Sequence, residues 1–254
     1  MAMQDSDTTI VLVTPVWMDS KRLGKFGPEL AKAIAESGLP VRWIVSDDGS
    51  GAEEQGRVEQ LVESLQQVYP RVEALLLPER SRKGEAIYCA WNQCPDARWL
   101  AFVDADGAVA ASSTLDLIRR AMQLGDLGAC IAVRQDSAAT PVQRTKGRAV
   151  SFKLFSFLVR RIVAIQFTDT QCGAKVVPGA VYFKVAKLLH ERGFVFDVEL
   201  LLLLQRFGAT IEELPVPWSE VDGSKILPFR DAWGMVAGLL RIRCRSLRNA
   251  YPVV

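Results

Sequence analysis

Through the first half of the chain, short β-rich apolar runs alternate with segments of helical period. "TTIVLVTP" predicts a first strand, and "PELAKAIAESG" a helix with Pro28 near its start and Gly38 at its end. "VRWIVSDDGS" predicts the second strand, and the helix after it repeats Val58, Leu61, Val62, Leu65 and Val68 at the 3.6-residue period. Strand "VEALLL", helix "GEAIYCAWNQC", strand "RWLAFVD", helix "STLDLIRRAMQLG" and strand "ACIAV" continue the alternation. This order predicts parallel βαβ units, hence an α/β fold with an open, doubly wound, mostly parallel sheet flanked by helices. Ligands of such sheets bind beyond the carboxyl ends of the strands, where "SDDGSG" and "DADG" both fall.

The second half is less regular. Between Asp136 and Asp169 there is no acidic residue, while Arg144, Lys146, Arg148, Lys153, Arg160 and Arg161 interleave with Phe152, Leu154, Phe155, Phe157, Leu158, Ile162 and Val163. That spacing predicts a basic amphipathic helix, and "DAWGMVAGLLRIRCRSLRNA" predicts a second, carrying Arg241, Arg243, Arg245 and Arg248. An arginine-bearing amphipathic helix without acids suits an anionic membrane surface, so residues 144–165 are a candidate membrane contact; its bland alternative is a core helix whose arginines snorkel. Without an aromatic stacking platform or a recognised binding motif, a nucleic-acid partner is set aside.

Composition narrows the class. At 254 residues, 49% hydrophobic and 24% charged, the chain can bury a substantial core, which excludes disorder. The net charge of +2 hides an asymmetry: residues 1–127 hold 13 Lys/Arg against 19 Asp/Glu, and residues 128–254 hold 18 against 10. The basic half is thus the candidate surface for phosphate or an anionic membrane. Five cysteines without a CxxC pair speak against a zinc site or a disulfide framework, and residues 1–8 are polar. A cytoplasmic location is therefore expected, at most peripheral on the cytoplasmic membrane face. "LFSFLVRRIVAIQF" is broken by Arg160 and Arg161, and no run reaches the roughly 18 apolar residues of a spanning helix.

Among residues that could carry chemistry, acids at strand ends stand out. "GSGAEEQG" does not fit GxGxxG, and no GxxxxGK[ST] or GxSxG occurs. The single histidine, His190, falls inside the helical pattern "VAKLLHERG" and reads as a surface or capping residue. In "FVDADG", strand alternation would put Asp104 and Asp106 on one side, where two like charges need a cation or a shared proton. They could hold Mg²⁺ or Mn²⁺ while substrate phosphates complete the shell. The bland alternative is an Asp-Gly turn, and Asp47 and Asp48 could likewise serve only as caps.

Taken in order, "TPVWMD", "VSDDGS", "RKGEA", "VDADG", "TDTQCGAK", "FVFDVELL" and "PVPWSEVDGSK" resemble the family 2 glycosyltransferases of the GT-A fold, most nearly those that make dolichyl- and other polyprenyl-phosphate sugars. The resemblance runs from about Ile10 to Arg248. It implies one domain over residues 1–254, with a nucleotide-sugar-binding half at about 9–135 and an acceptor-binding half at about 136–254. It also implies an inverting, metal-dependent transfer of a hexose to a polyprenyl phosphate, glucose and UDP being favoured and GDP-mannose the alternative donor.

Residue by residue, the resemblance gives Pro15 and Asp47, with Asp48 beside them, to the nucleotide. It gives Lys83 to its phosphates, Asp106 to the metal, and Asp104 to the metal as well as to ribose and diphosphate. Arg134 matches an arginine associated with the acceptor phosphate, Asp169 and Asp197 match acids lining the reaction centre, and Lys225 matches the lysine of a mobile loop. A lipid phosphate is already an anionic nucleophile and needs positioning; a soluble hydroxyl acceptor would instead need Asp197 or Asp169 as base. A nucleotide-sugar binder without catalysis is a further alternative. The sequence also departs from the pattern. Met18 and Asp19 replace the usual Asn and Glu, Ala108 stands where mannosyltransferases often carry a metal-binding Gln, and Ala174 replaces a Phe. Relatives usually carry a transmembrane anchor, so its absence here implies peripheral binding or a soluble acceptor.

Overall fold

The structure is a computed structural model that describes residues 10–136, 142–143, 146–219, 221 and 228–251. Its strands are β1 (Ile10–Val16), β2 (Val41–Asp47), β3 (Val72–Leu76), β4 (Trp99–Val103), β5 (Gly128–Val133), β6 (Val142–Gln143), β7 (Ala174–Pro178), β8 (Thr210–Pro215) and β9 (Trp218–Ser219). The helices are α1 (Ser20–Ser37), α2 (Ala52–Gln66), α3 (Lys83–Asn92), α4 (Ala111–Gln123), α5 (Lys146–Ile162), α6 (Gly179–Val185), α7 (Phe196–Arg206) and α8 (Pro228–Leu247).

Seven strands form one sheet in the order β3-β2-β1-β4-β7-β5-β8, and β6 pairs with β9 in a separate two-stranded ribbon. All pairings in the large sheet are parallel except those of β7, which runs antiparallel between β4 and β5. Strands β4, β5 and β7 are buried along their whole length, as strands covered by helices on both faces must be. On one face pack Leu23, Phe26, Leu30 and Ile34 of α1, Val58, Val62 and Leu65 of α2, and Leu117 and Ile118 of α4. On the other pack Ile87 and Trp91 of α3, Tyr182 of α6, Leu200 and Leu203 of α7, and Leu239 and Ile242 of α8. Each such side chain contributes about 1.5–3 kcal/mol of burial.

Several boundaries differ from the sequence reading. Helix α1 begins at Ser20, so Pro28 lies inside it rather than near its start. Proline leaves the carbonyl four residues back without its helical donor; the continuous buried face from Leu23 to Ile34 carries the helix through. His190 lies beyond α6 in a loop, not in a helix. Its backbone N–H and that of Glu191 donate to Glu199 Oε2, both at 2.6 Å. The basic amphipathic helix is present as α5, and α8 packs against it. Glu191 and Glu199 receive Arg241 and Arg245 of α8, and Tyr251 donates to Glu199, which docks α8 and Tyr251 onto α7 and the loop before it.

Candidate active site

The six parallel strands of the large sheet deliver their carboxyl ends to one edge, and antiparallel β7 begins at the same edge. Strand β4 ends at Val103, so Asp104 to Gly107 form a turn rather than a continuation of the pleat. Gly107 sits at φ 71°, a conformation that favours glycine. The Asp104 N–H donates to Gly173 O at 2.8 Å, and its Oδ1 lies 2.5 Å from Lys83 Nζ. A side chain at Gly173 would collide with the Asp104 carboxylate, so the glycine of "QCG" is what lets that carboxylate lie there. Asp106 Oδ1 accepts from Ala108 N at 3.0 Å, and its Oδ2 is 3.6 Å from Arg22. Burial, and then the charge of Asp104, raise Asp106 above the usual carboxylate range. The turn, not strand alternation, brings the two acids together.

At the end of β2, Asp47 is fully buried. Its Oδ1 accepts from Ser50 N at 2.9 Å and from Gln55 Nε2 at 3.0 Å, while its Oδ2 has no hydrogen-bond partner among the described residues. A buried acceptor left open is costly unless a donor comes to it. Asp48 is spent differently, accepting from the N–H groups of Ser81 at 2.7 Å and Arg82 at 2.8 Å, so it holds the loop that leads into Lys83. Burial raises its affinity for a proton despite those bonds. Pro15 pairs with Ser46 at the adjoining end of β1. Next along the chain, the Trp17 ring carries the Arg80 guanidinium at 3.4 Å from its centroid, a stack not anticipated from sequence.

Toward β5 the charges are buried and paired. Arg134 donates through Nε to Asp169 Oδ2 at 2.6 Å and through Nη2 to Asp169 Oδ1 at 2.8 Å. Gln171 links onward: its N–H donates to Asp169 Oδ1 at 3.0 Å and its side-chain amide to Asp197 Oδ1 at 2.6 Å. Asp197 Oδ2 lies 3.4 Å from Nζ of Lys175, which is wholly buried and also donates to Cys172 O at 2.8 Å. Lys83 and Lys175 both stand 5.3 Å from the centroid of the Phe102 ring. Burial, only partly offset by Lys175 and Lys83, raises Asp197 above the carboxylate range. Burial works against the charge on Asp169 too, but the Arg134 guanidinium wins and holds it below that range. Gln171 and Lys175 were missed by the sequence reading; the available signal was a lysine inside the apolar run "AKVV". Lys225 lies outside the described residues.

No group of three or more His, Cys, Asp or Glu side chains forms a metal cage among the described residues. Asp104 and Asp106, near enough for the charge of one to act on the other, nevertheless fit a hard cation that completes its shell with substrate oxygens.

The family profile described as glycosyl transferase family 2 matches residues 14–182. The chain belongs to glycosyl transferase family 2. This family 2 member is 28% identical over 214 residues to a dolichyl-phosphate beta-glucosyltransferase of Dictyostelium discoideum, covering 83% of this chain. It spans 64% of that relative's length. It is 29% identical over 260 residues to the dolichyl-phosphate beta-glucosyltransferase of Homo sapiens, covering 97% of this chain and 79% of the human protein. Its fold matches that of glucosyl-3-phosphoglycerate synthase from Mycobacterium tuberculosis, solved with Mn²⁺, UDP and glucosyl-3-phosphoglycerate. The TM-score is 0.61 at 14% identity, over 98% of this chain and 82% of that one. The expected GT-A architecture, an open and mostly parallel sheet between helices, is thereby borne out.

The Arg134–Asp169 pair generates a pH dependence. A carboxyl held below its unfolded value adds stability at pH above the ordinary aspartate pKa, about 3.9, and that share is lost as pH falls through the folded value. Asp169→Asn, by leaving Arg134 buried and unpaired, should cost about 3–5 kcal/mol at pH 7. The variant should then lose less of its remaining stability on acidification below about pH 4 than the wild type does. Denaturant melts at several pH values check this, and equal acid slopes in the two proteins would contradict it.

Proposed function

We propose that this family 2 glycosyltransferase moves a glucosyl residue with inversion from UDP-glucose to a dolichyl- or other polyprenyl-phosphate, using Mg²⁺ or Mn²⁺. One juxtaposition carries the reading: Asp104, Asp106 and Lys83 stand at the same sheet edge as Arg134, whose Nη1 donates to nothing among the described residues. Relatives in Dictyostelium and human are dolichyl-phosphate beta-glucosyltransferases, which supports glucose and a lipid phosphate over other pairs. UDP as the donor nucleotide, rather than GDP-mannose, is taken from the sequence resemblance to the glucosyltransferase branch.

In this reading Asp47 Oδ2 accepts from the nucleotide base, beside Pro15, and Asp48 keeps the neighbouring loop in place. Asp106 and Asp104 hold the cation. When bound, it would offset the negative charge that builds on the departing diphosphate. Lys83, held on Asp104, is the chain's own cation for the same charge, and Lys225 is assigned there by resemblance. Arg134 positions the acceptor phosphate, which is already anionic and needs no base. A hydroxyl acceptor is the second reading, favoured by the raised proton affinity of Asp197, which would suit a general base.

Peripheral membrane contact belongs to the same proposal, at the cytoplasmic face. No helix among the described residues is long and apolar enough to cross a membrane. Helix α5 exposes Leu154 and Phe157 together with Lys153, Arg160 and Arg161, and α8 exposes Trp233, Leu240 and Leu247. Apolar residues beside cations suit the interface of an anionic bilayer.

Three outcomes are expected. UDP with Mn²⁺ or Mg²⁺ should raise the melting midpoint, by the equivalent of about 2.7 kcal/mol at a hundred times its Kd. GDP should do less, a chelator should remove the shift, and Asp106→Ala should lose it with its ligand-free midpoint unchanged; no shift with any nucleotide would refute the donor site. In a transfer assay with a polyprenyl phosphate, Asp197→Asn should keep activity within about 100-fold, whereas losing a required base costs about 10²–10⁴-fold at every acceptor concentration. In vesicle sedimentation, Arg160→Glu and Arg161→Glu should each weaken binding to anionic bilayers by about fivefold or more. Equal binding of wild type and variants would refute the membrane contact.

A further inference from the structure

Arg134 is held more firmly than charge neutralisation requires. Asp169 takes two edges of its guanidinium, at 2.6 and 2.8 Å. The Phe152 ring centroid lies 4.9 Å from its Cζ and that of Trp218 5.3 Å. These partners come from three separate elements. Phe152 is on α5, and Asp169 is in the loop before β7. Trp218 is on β9, where its pairing with Val142 of β6 fixes it beside the end of β5. The guanidinium thus keeps its Nη1 edge uncommitted among the described residues, while its other donors and its surroundings are set.

Asp169 is fully buried and accepts four hydrogen bonds: from Arg134 Nε, Arg134 Nη2, the Arg134 N–H at 3.2 Å and the Gln171 N–H at 3.0 Å. A carboxylate has about four lone-pair sites. None is left to take a proton from an acceptor.

We propose that Asp169, Phe152 and Trp218 are positioning residues that fix Arg134 with its Nη1 edge presented to the acceptor's phosphate, and that Asp169 is not the base of the reaction. The inference rests on the lipid-phosphate reading above. The flanking rings keep water from the guanidinium, so its charge acts on an incoming anion through a lower dielectric. Fixing the cation beforehand also removes an ordering cost from binding. A phosphate with two anionic oxygens is the group such an edge selects over a neutral alcohol.

The test uses farnesyl phosphate and farnesol as probes, titrated calorimetrically into the full chain with UDP and Mn²⁺. Wild type should bind the phosphate and not the alcohol. Trp218→Leu should weaken farnesyl phosphate by about tenfold, the worth of a desolvated cation–π contact, and leave the UDP midpoint shift unchanged. Trp218→Phe should recover affinity to within about threefold, because a ring still flanks the cation. Phe152→Leu provides the same reading should Trp218→Leu fail to fold. In turnover, Trp218→Leu and Asp169→Asn should both raise the acceptor KM while kcat stays within about threefold.

Wild-type affinity in both ring variants would overturn the clamp and leave the lipid-phosphate reading standing. A fall in kcat of about 100-fold in Asp169→Asn with KM unchanged would restore that residue as a base. Equal binding of farnesol and farnesyl phosphate by wild type would overturn the acceptor reading and the clamp with it.

Discussion

The site depends on how β7 is seated. It enters antiparallel between β4 and β5, with Val103 opposite Ala174, and Phe102 and Ile131 both opposite Lys175. From that register much else follows. Gly173 falls against Asp104 and accepts its N–H, so the acid turn after β4 is tied to the "QCG" segment before β7. Lys175 is delivered into the middle of the sheet beside Phe102, where its ammonium can reach Asp197 and the Cys172 carbonyl. The loop before β7 carries Asp169 to the end of β5, where Arg134 waits. A parallel β7 would begin at the opposite edge, and every one of these contacts would be lost.

That seating is also what the sequence concealed. Strands β1 to β5 were legible because they are mainly apolar runs bounded by turn residues, and the acid-free stretch before Asp169 revealed α5 by its period alone. "AKVVP" escaped because a lysine interrupts it and a proline ends it, features that argue against a central strand unless the ammonium finds partners inside. Strand β8 escaped because "TIEELP" is an edge strand with paired acids, one bound to Arg120 and the other to Thr168. His190 was placed in a helix by the pattern of its neighbours; Glu199, nine residues on, captures its backbone instead. Local pattern cannot announce a carboxylate that arrives from another element.

The candidate site was legible in its acids and less so in what those acids do. Asp47, Asp104, Asp106, Asp169 and Asp197 all stand at the predicted edge, yet their environments set them apart. Asp48 is committed to two backbone donors and Asp169 to Arg134, whereas among the described residues Asp47 keeps one oxygen open and Asp106 has the Ala108 N–H on one oxygen and a guanidinium 3.6 Å from the other. Burial raises the proton affinity of Asp106 and Asp197, while a guanidinium lowers that of Asp169. Identical side chains thus separate into those with capacity left for a ligand and those already used to hold the frame. Sequence spacing carries no information about which is which, because the difference lies in the partners.

Helix α7 shows how rigid that frame is. Asp197 and Glu199 are two residues apart and so point to different faces of one buried helix. On one face Asp197 takes Gln171 and Lys175 from the β7 segment; on the other Glu199 takes the amides of His190 and Glu191, Arg245 of α8 and Tyr251. A carboxylate stripped of such partners while still buried is far costlier than one in water. Rotating or sliding α7 would strip one set or the other, so the helix has a single low-energy setting. The position of Asp197 is therefore fixed by the docking of α8 as much as by the sheet. Because α8 also packs on α5, the basic helix and the acid at the bottom of the site share one mechanical support.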